Sequence, residues 1–225
     1  MKFPVLATTV ISLFFTSCNK NIKSKKGGID IVSNVYFNAS KNLDKVQNFH
    51  VSKINYSGDS LIELVPDLEI PGITNSVYFI KDTLYYNLGN ENPQNTIISD
   101  LIKKQQRHSI YNKKEGAIFT KDLVPNYSHR KNISDTILFG KTYKRFEINS
   151  PESYTRYYIY QTDTILPYSI YKHADKDYSG RIERIDSYNK KKDVFVSMQL
   201  IPRKKWDKEA KDIFDFNKYV SEKQK

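Results

Sequence analysis

"KTYKRFEI", residues 141–148, and "VFVSMQLI", residues 194–201, are the stretches that decide the fold. In the first, Lys144, Phe146 and Ile148 share one face, and Tyr143, Arg145 and Glu147 share the other. In the second, apolar residues recur at every other position as far as Leu200. Alternation of period two is typical of antiparallel strands that pack one face on a core and turn the other to water.

The same pattern extends over most of the chain and predicts a meander of short strands. Strands are predicted at residues 46–56, 61–65, 76–80, 84–88, 136–139, 141–148, 154–160, 166–172, 181–188 and 194–201. Four units, at residues 58–65, 81–88, 134–141 and 162–169, each place Asp and then Ser or Thr before an apolar or aromatic run. Asp, Ser and Thr bond the nearby backbone, so these units predict turns that open strands.

Helical patterns are few. Residues 33–49 show loosely helical spacing, residues 92–108 carry an apolar stripe with basic residues near its end, and residues 203–216 place Trp206 and Ile213 on one side. The sequence therefore predicts an α+β fold. We expect a curved, mostly antiparallel sheet, an unclosed barrel of about ten strands, with two or three packing helices.

The composition fits a single domain with a basic surface. The chain has 225 residues, a net charge of +11, 17 Tyr, 12 Phe and one Cys. One cysteine excludes an internal disulfide. The positive charge suits a nucleic acid, a membrane surface or an anionic envelope polymer equally well.

The single cysteine lies at the end of "MKFPVLATTVISLFFTSC", residues 1–18. Lys2 is followed by an apolar run that is too short to span a bilayer and has the length of a secretory signal. Two small residues, Thr16 and Ser17, come directly before Cys18. The segment resembles the lipobox of bacterial lipoproteins, although Phe15 stands where leucine is commonest. A plain signal peptide with an incidental cysteine, or an N-terminal anchor helix, is the alternative.

The lipobox resemblance implies a signal peptide over residues 1–17 and a lipidated Cys18, with thioether-linked lipid and an N-acyl chain such as palmitate. Two or more chains give stable anchoring. Residues 18–28 carry four lysines and end in two glycines, which predicts a flexible basic tether. Residues 29–225 then form the single α+β domain. The absence of acidic residues after Cys18 favours the periplasmic face of the outer membrane.

The second half of the chain resembles the lipoprotein-carrier fold of the Lol carrier and acceptor proteins. The residues that match are Gly140 at the start of a strand and the pair Leu166 and Pro167 after an Asp-Thr turn, within residues 140–188. This resemblance implies an unclosed barrel that encloses an apolar cavity for acyl chains. The tyrosine-rich strand at 154–160 then either lines a ligand site or simply packs in the sheet.

No residue pattern names a reaction. His50, His108, His129 and His173 are scattered, and one cysteine cannot build a soft-metal site. Residues 175–180 share the start of a calcium loop but lack its later ligands, so a hairpin turn is the simpler interpretation. We therefore predict no catalytic residue, no metal ligand and no cofactor, and Cys18 is the one site residue that can be named.

The sequence thus predicts a non-enzymatic, membrane-anchored envelope lipoprotein that binds an apolar ligand, a lipid or a protein partner on a curved sheet. Its membrane partner is the bilayer that holds the Cys18 lipid. The alternatives are a structural or assembly lipoprotein without a ligand and, third, an envelope hydrolase assembled from distant residues. Nucleic acid is excluded as a partner because export removes it.

Overall fold

The computed structural model describes residues 22–70, 72–89 and 92–224. It is an α+β fold built on one large antiparallel sheet. The strands are β1 Ile22–Lys23, β2 Lys26–Phe37, β3 Val46–Ser57, β4 Ser60–Pro66, β5 Thr74–Lys81, β6 Leu84–Asn87, β7 His108–Ser109, β8 Lys131–Leu138, β9 Lys141–Asn149, β10 Ser153–Gln161, β11 Thr164–Ile165, β12 Gly180–Asn189 and β13 Val194–Arg203. The helices are α1 Ile98–Lys104, α2 Lys172–Asp177 and α3 Lys208–Lys223.

Eleven strands pair in the order β7-β6-β5-β4-β3-β2-β13-β12-β10-β9-β8. Two meanders, β2 to β7 and β8 to β13, are joined where β2 pairs with β13, with Ile31 opposite Leu200. The short β7 and the longer β8 form the two edges, so the sheet stays open. The remaining strands, β1 and β11, pair in parallel apart from the large sheet. The predicted unclosed sheet is confirmed.

Both faces of the sheet carry apolar packing, because successive side chains point to opposite faces. One face, which we call the loop-covered face, presents Tyr56, Leu61 and Ile80 and is covered by residues 110–124 and 166–178. On the opposite face Ile62 and Phe79 pack against α1 and α3. The expectation of one dry and one wet face is therefore wrong for the first meander, where helices cover the second face.

Three predicted elements differ from the structure. Residues 33–49, predicted as a helix, belong to β2, β3 and the turn between them, because Ile29 and Ile31 bury β2 against its neighbours. Residues 166–172 are predicted as a strand, but residues 166–171 are irregular and Lys172 begins α2, because Pro167 lacks an N–H for a ladder and Tyr168 turns into the core. The predicted hairpin turn at 175–180 is the end of α2 and its exit into β12.

The part of the predicted tether that the structure describes, residues 22–28, contains strand residues. Residues 22–23 form β1, and β2 already begins at Lys26. The two glycines serve close packing, since a Cβ on Gly27 would lie 2.5 Å from the hydroxyl of Tyr56 and one on Gly28 would lie 2.5 Å from Cζ of Arg203. Residues 1–21, which hold the predicted signal peptide and Cys18, lie outside the described residues.

No helix of the described residues combines the length and the apolar content that a bilayer crossing needs.

Candidate functional site

An open cavity of about 1350 Å³ lies at one end of the sheet, and we call it the end cavity. Ligand pockets for small molecules usually measure about 300–1,000 Å³, so the end cavity has room for a long or branched ligand. It is bounded by the β3–β4 turn at 58–59, the β5–β6 turn at 82–83, the loop at 110–123 and the segment at 162–181. Residues 23–25, from the last residue of β1 to the start of β2, complete its mouth.

The floor of the end cavity is apolar. Leu61 and Ile80 reach it from the loop-covered face of the sheet, Ile110 and Phe119 from the loop, and Tyr168 from the opposite segment. Four of these five side chains are buried, whereas Phe119 is only partly covered. An apolar floor with polar groups at the mouth is the usual construction of a site for an apolar ligand.

The mouth is polar and carries charges of both signs. Its exposed lysines are Lys23, Lys25, Lys121, Lys172 and Lys176. None of these five lies in an ion pair with another residue that the structure describes. Exposed aspartates, Asp59, Asp82, Asp122 and Asp163, share the mouth. The mouth is therefore strongly hydrated and close to neutral.

A buried ion pair fixes the loop that forms one wall. Lys113 Nζ lies 3.0 Å from Oε2 of Glu63 on β4, and their side chains are 1% and 0% exposed. Glu63 Oε1 accepts hydrogen bonds from Ser52 Oγ at 2.8 Å and from the Ala117 amide at 2.5 Å. Oε2 has no hydrogen-bond donor among the described residues and is held by charge alone.

Two further contacts join this loop to the segment at 162–181. The Tyr168 hydroxyl donates to the carbonyl of Ile118 at 2.9 Å, and the Phe119 ring packs edge-on against Tyr168 with centroids 5.0 Å apart. Burial, with a smaller contribution from Glu63, raises the pKa of Tyr168 well above its ordinary value. Tyr168 therefore remains a neutral hydrogen-bond donor that pins the two walls together.

Of the four histidines of the sequence, which predict no site, His173 lines the end cavity, and its ring is used for packing. Its Nε2 accepts the amide of Val124 at 3.2 Å, and it packs edge-on against Tyr127 with centroids 4.7 Å apart. Since one ring nitrogen already binds backbone, His173 is poorly placed to act as a general base.

Asp175 and Ser169 lie beside the same cavity but form a closed structural pair. Ser169 Oγ donates to Asp175 Oδ2 at 2.5 Å, and the amide of Ile182 donates to Oδ1 at 2.8 Å. Burial raises the pKa of Asp175, although these two hydrogen bonds oppose the shift. Both carboxylate oxygens of Asp175 are thus occupied, one by the Ser169 hydroxyl and one by the Ile182 amide, and this side chain holds the exit from α2 into β12.

Comparison with known proteins gives partial matches to solved structures only. No family model matches the chain, and no curated protein matches it. The chain is similar to the LolA superfamily protein of Nitrosomonas europaea, with 10% identity, 84% of this chain and 90% of that chain covered, and a TM-score of 0.33. It is also similar to LprF of Mycobacterium bovis, with 8% identity, coverage of 78% and 84%, and a TM-score of 0.29.

A third solved structure is a putative outer membrane lipoprotein-sorting protein domain of Vibrio parahaemolyticus. It shares 12% identity, 89% of this chain and 93% of that chain are covered, and the TM-score is 0.30. With identities and TM-scores this low, no functional property is transferred from these proteins.

Only some of the residues that matched the carrier pattern lie at the end cavity. Leu166 and Pro167 line the end cavity, whereas Gly140 lies at the β8–β9 turn and does not. The strand at 154–160 packs within the sheet, with Tyr157 stacked on Phe146 at 4.5 Å between centroids. None of its tyrosines lines the end cavity.

Sequence reasoning did not identify the loop at 110–123 as a wall. Its link to the sheet joins residues 50 positions apart, Lys113 and Glu63, and leaves no local pattern. One signal was available: three of the four Asp-Ser/Thr units, those beginning at 58, 81 and 162, contribute residues to the cavity. The Asp-Ser/Thr pairs of these three units lie at the end of the sheet where the cavity opens.

Proposed function

We propose that this protein is a lipid-anchored lipoprotein of the cell envelope, and that its end cavity binds the acyl chain of a lipid or of a lipid-modified ligand without converting it chemically. The observation that carries the proposal is the apolar floor of Leu61, Ile80, Ile110 and Tyr168 inside a cavity of about 1350 Å³. Burying apolar surface contributes about 25 cal/mol per Å², so a long hydrocarbon chain would gain most from this floor.

Anchoring at Cys18, on the periplasmic face of the outer membrane, is supported by the sequence alone. Metabolic labelling with palmitate and fractionation of the envelope test it directly. We expect label and membrane association in the native chain and loss of both in Cys18→Ser. Unchanged membrane association of Cys18→Ser, together with no label in the native chain, would remove the anchor from the proposal.

Ligand binding is tested separately from anchoring. The full chain carrying Cys18→Ser keeps every residue of the cavity and can be titrated with a fluorescent fatty acid. Thr83 is exposed at the mouth and its side chain makes no hydrogen bond with other described residues, so Thr83→Trp adds an indole to the cavity at little cost to the fold. Thr142→Trp is the matched control, because Thr142 is an exposed threonine on β9 that does not line the cavity.

We expect saturable binding of the fatty acid at one site. The affinity should fall at least about tenfold in Thr83→Trp, equivalent to about 1.4 kcal/mol, and stay unchanged in Thr142→Trp. Absence of saturable binding would contradict the ligand site, and so would equal binding by all three proteins.

A second candidate function, partner binding in envelope assembly, is favoured by a different surface. Phe139, at the tip of the β8–β9 turn, is 80% exposed and lies with the half-exposed Ile201 around a smaller cavity of about 300 Å³. Large exposed apolar side chains often mark protein contacts. A photocrosslinker at residue 139 should capture one envelope protein stoichiometrically if this function is correct, and nothing specific if it is not.

A further inference from the structure

We propose that the mouth of the end cavity faces the bilayer, so that ligands pass between membrane and cavity without crossing water. This inference rests on the proposed anchoring at Cys18. It goes beyond the proposed function because it assigns an orientation and a contact surface to the anchored protein.

The path of the chain is the first argument. Ile22 and Lys23 pair in parallel with Thr164 and Ile165, and the Ile22 amide donates to the carbonyl of Asp163 at 2.8 Å. The next residues, Lys23 to Lys25, line the mouth. The chain therefore reaches the folded body at the mouth of the cavity.

The short reach from Cys18 is the second argument. Four peptide units separate Cys18 from Ile22 and span at most about 14 Å when fully extended. The other end of the sheet is much farther away, because β2 has 12 residues and extends about 35 Å from Lys26 to Phe37. An acyl group on Cys18 thus holds the mouth, and not the β2–β3 hairpin, close to the membrane.

The surface at the mouth is the third argument. Leu123 and Ile165 line the cavity and are 62% and 44% exposed. Ile22, which pairs with Thr164 next to Ile165, is 60% exposed. The lysines of the mouth have long apolar stems that can lie along a membrane interface while their ammonium groups stay in water. Because the five lysines face four aspartates, charge adds little, and we expect the aliphatic side chains to dominate the contact.

The native chain offers a clean labelling experiment, since Cys18 is the only cysteine and lipidation consumes its thiol. An added cysteine is then the only reactive thiol. Leu123→Cys reports on the mouth. Leu43→Cys, on the β2–β3 hairpin and 52% exposed, is the matched control at the far end. Both are exposed leucines, so neither substitution disturbs the core.

The lipidated proteins are placed in vesicles of phosphatidylethanolamine and phosphatidylglycerol whose acyl chains carry bromine quenchers, and each cysteine bears an environment-sensitive fluorophore. We expect the fluorescence at 123 to fall by about half, because an interfacial side chain lies within about 5–10 Å of the acyl boundary. The fluorescence at 43 should not change. Ile165→Cys, at the mouth, should repeat the result for 123.

The possible outcomes separate the two proposals. Protein that floats with the vesicles but is quenched equally at 43 and 123, or only at 43, overturns the orientation and leaves the anchor intact. Protein that does not float and whose Cys18 is bare by mass spectrometry overturns the anchor and, with it, the orientation.

Discussion

Lys113 Nζ lies 3.0 Å from Glu63 Oε2, and the two side chains are almost completely buried. The contact links the loop at 110–123 to the middle of β4, and the Ala117 amide adds a hydrogen bond from the same loop to Glu63. One wall of the end cavity therefore depends on a buried polar contact. The stability of this contact and the shape of the cavity are coupled.

Breaking this pair on one side should be costly. Removing one partner of a buried ion pair costs about 3–5 kcal/mol, because the other charge stays buried without compensation. We expect Glu63→Gln and Lys113→Met to lower the free energy of unfolding by amounts in this range, measured by urea denaturation. In the double variant Glu63→Gln/Lys113→Met, the loss of unfolding free energy should be much smaller. No charge is then left buried, and the side-chain amide oxygen at position 63 can still accept the hydrogen bonds from Ser52 Oγ and the Ala117 amide. A double variant whose loss equals the sum of the single losses would contradict this account.

Gly116 is expected to be sensitive to the smallest side chain. Its φ is +70°, and a Cβ there would lie 2.2 Å from Glu63 Oε1 and 2.7 Å from Val65 Cγ2. Gly140 has nearly the same φ, +73°, with no atom within 4 Å of such a Cβ. Gly116→Ala should therefore lower the free energy of unfolding by about 1–3 kcal/mol more than Gly140→Ala, as expected for overpacking. Equal losses in thermal or urea unfolding would show that only backbone strain matters.

Phe146 should be the most sensitive position of the second meander. It is 0% exposed and stacks on Tyr157 and Tyr178, with centroids 4.5 Å and 5.1 Å apart. Phe146→Ala should cost about 3–5 kcal/mol of stability. The control, Phe139→Ala, removes a ring that is 80% exposed and should change stability by less than about 0.5 kcal/mol. Similar urea midpoints for the two variants would place Phe146 outside the core.

Acid should weaken the fold partly through Glu147. Burial acts to raise the pKa of Glu147, but hydrogen bonds from Arg156 and Asn149 outweigh it and hold that pKa below its ordinary value. A carboxylate with a lowered folded pKa stabilises the protein above its unfolded pKa of about 4.3 and loses that contribution as the pH falls through the folded pKa. Arg156 is 33% exposed, so the contribution should be below about 1 kcal/mol.

Glu147→Gln should therefore destabilise the protein at pH 7 and flatten the decline of stability between about pH 5 and pH 3. Urea unfolding at several pH values measures this decline. Glu152→Gln removes an exposed carboxylate on the neighbouring turn and serves as the control. A decline in Glu147→Gln as steep as in the native protein would rule out this linkage.

The sequence predicted the parts of the fold that obey a local period. The strands at 141–148 and 194–201 alternate cleanly, and both lie within single strands of the sheet. The helix predicted at 33–49 is wrong because its loosely helical spacing runs across the end of β2, the turn at 38–45 and the start of β3. The strand expected at 166–172 fails because Tyr168 is set by a hydrogen bond to Ile118, which is 50 residues away.

The candidate site was less predictable than the fold. Its turns carry a recognisable Asp-Ser/Thr signature, but its floor joins residues from β4, β5, the loop at 110–123 and the segment at 162–181. Which turns meet depends on strand order, and the β2–β13 pairing that joins the two meanders has no local sequence signal. Cys18 could be named from sequence because its signature is contiguous, and it stays a prediction.

The central claim is that the end cavity holds an acyl chain, and bound lipid in protein taken from envelopes tests it most directly. Native mass spectrometry, with organic extraction of the same sample, compares the native chain with Thr83→Trp and Thr142→Trp. The account predicts one noncovalent acyl lipid on the native chain and on Thr142→Trp, and its loss from Thr83→Trp. A native chain without lipid, or equal lipid on all three proteins, would contradict it.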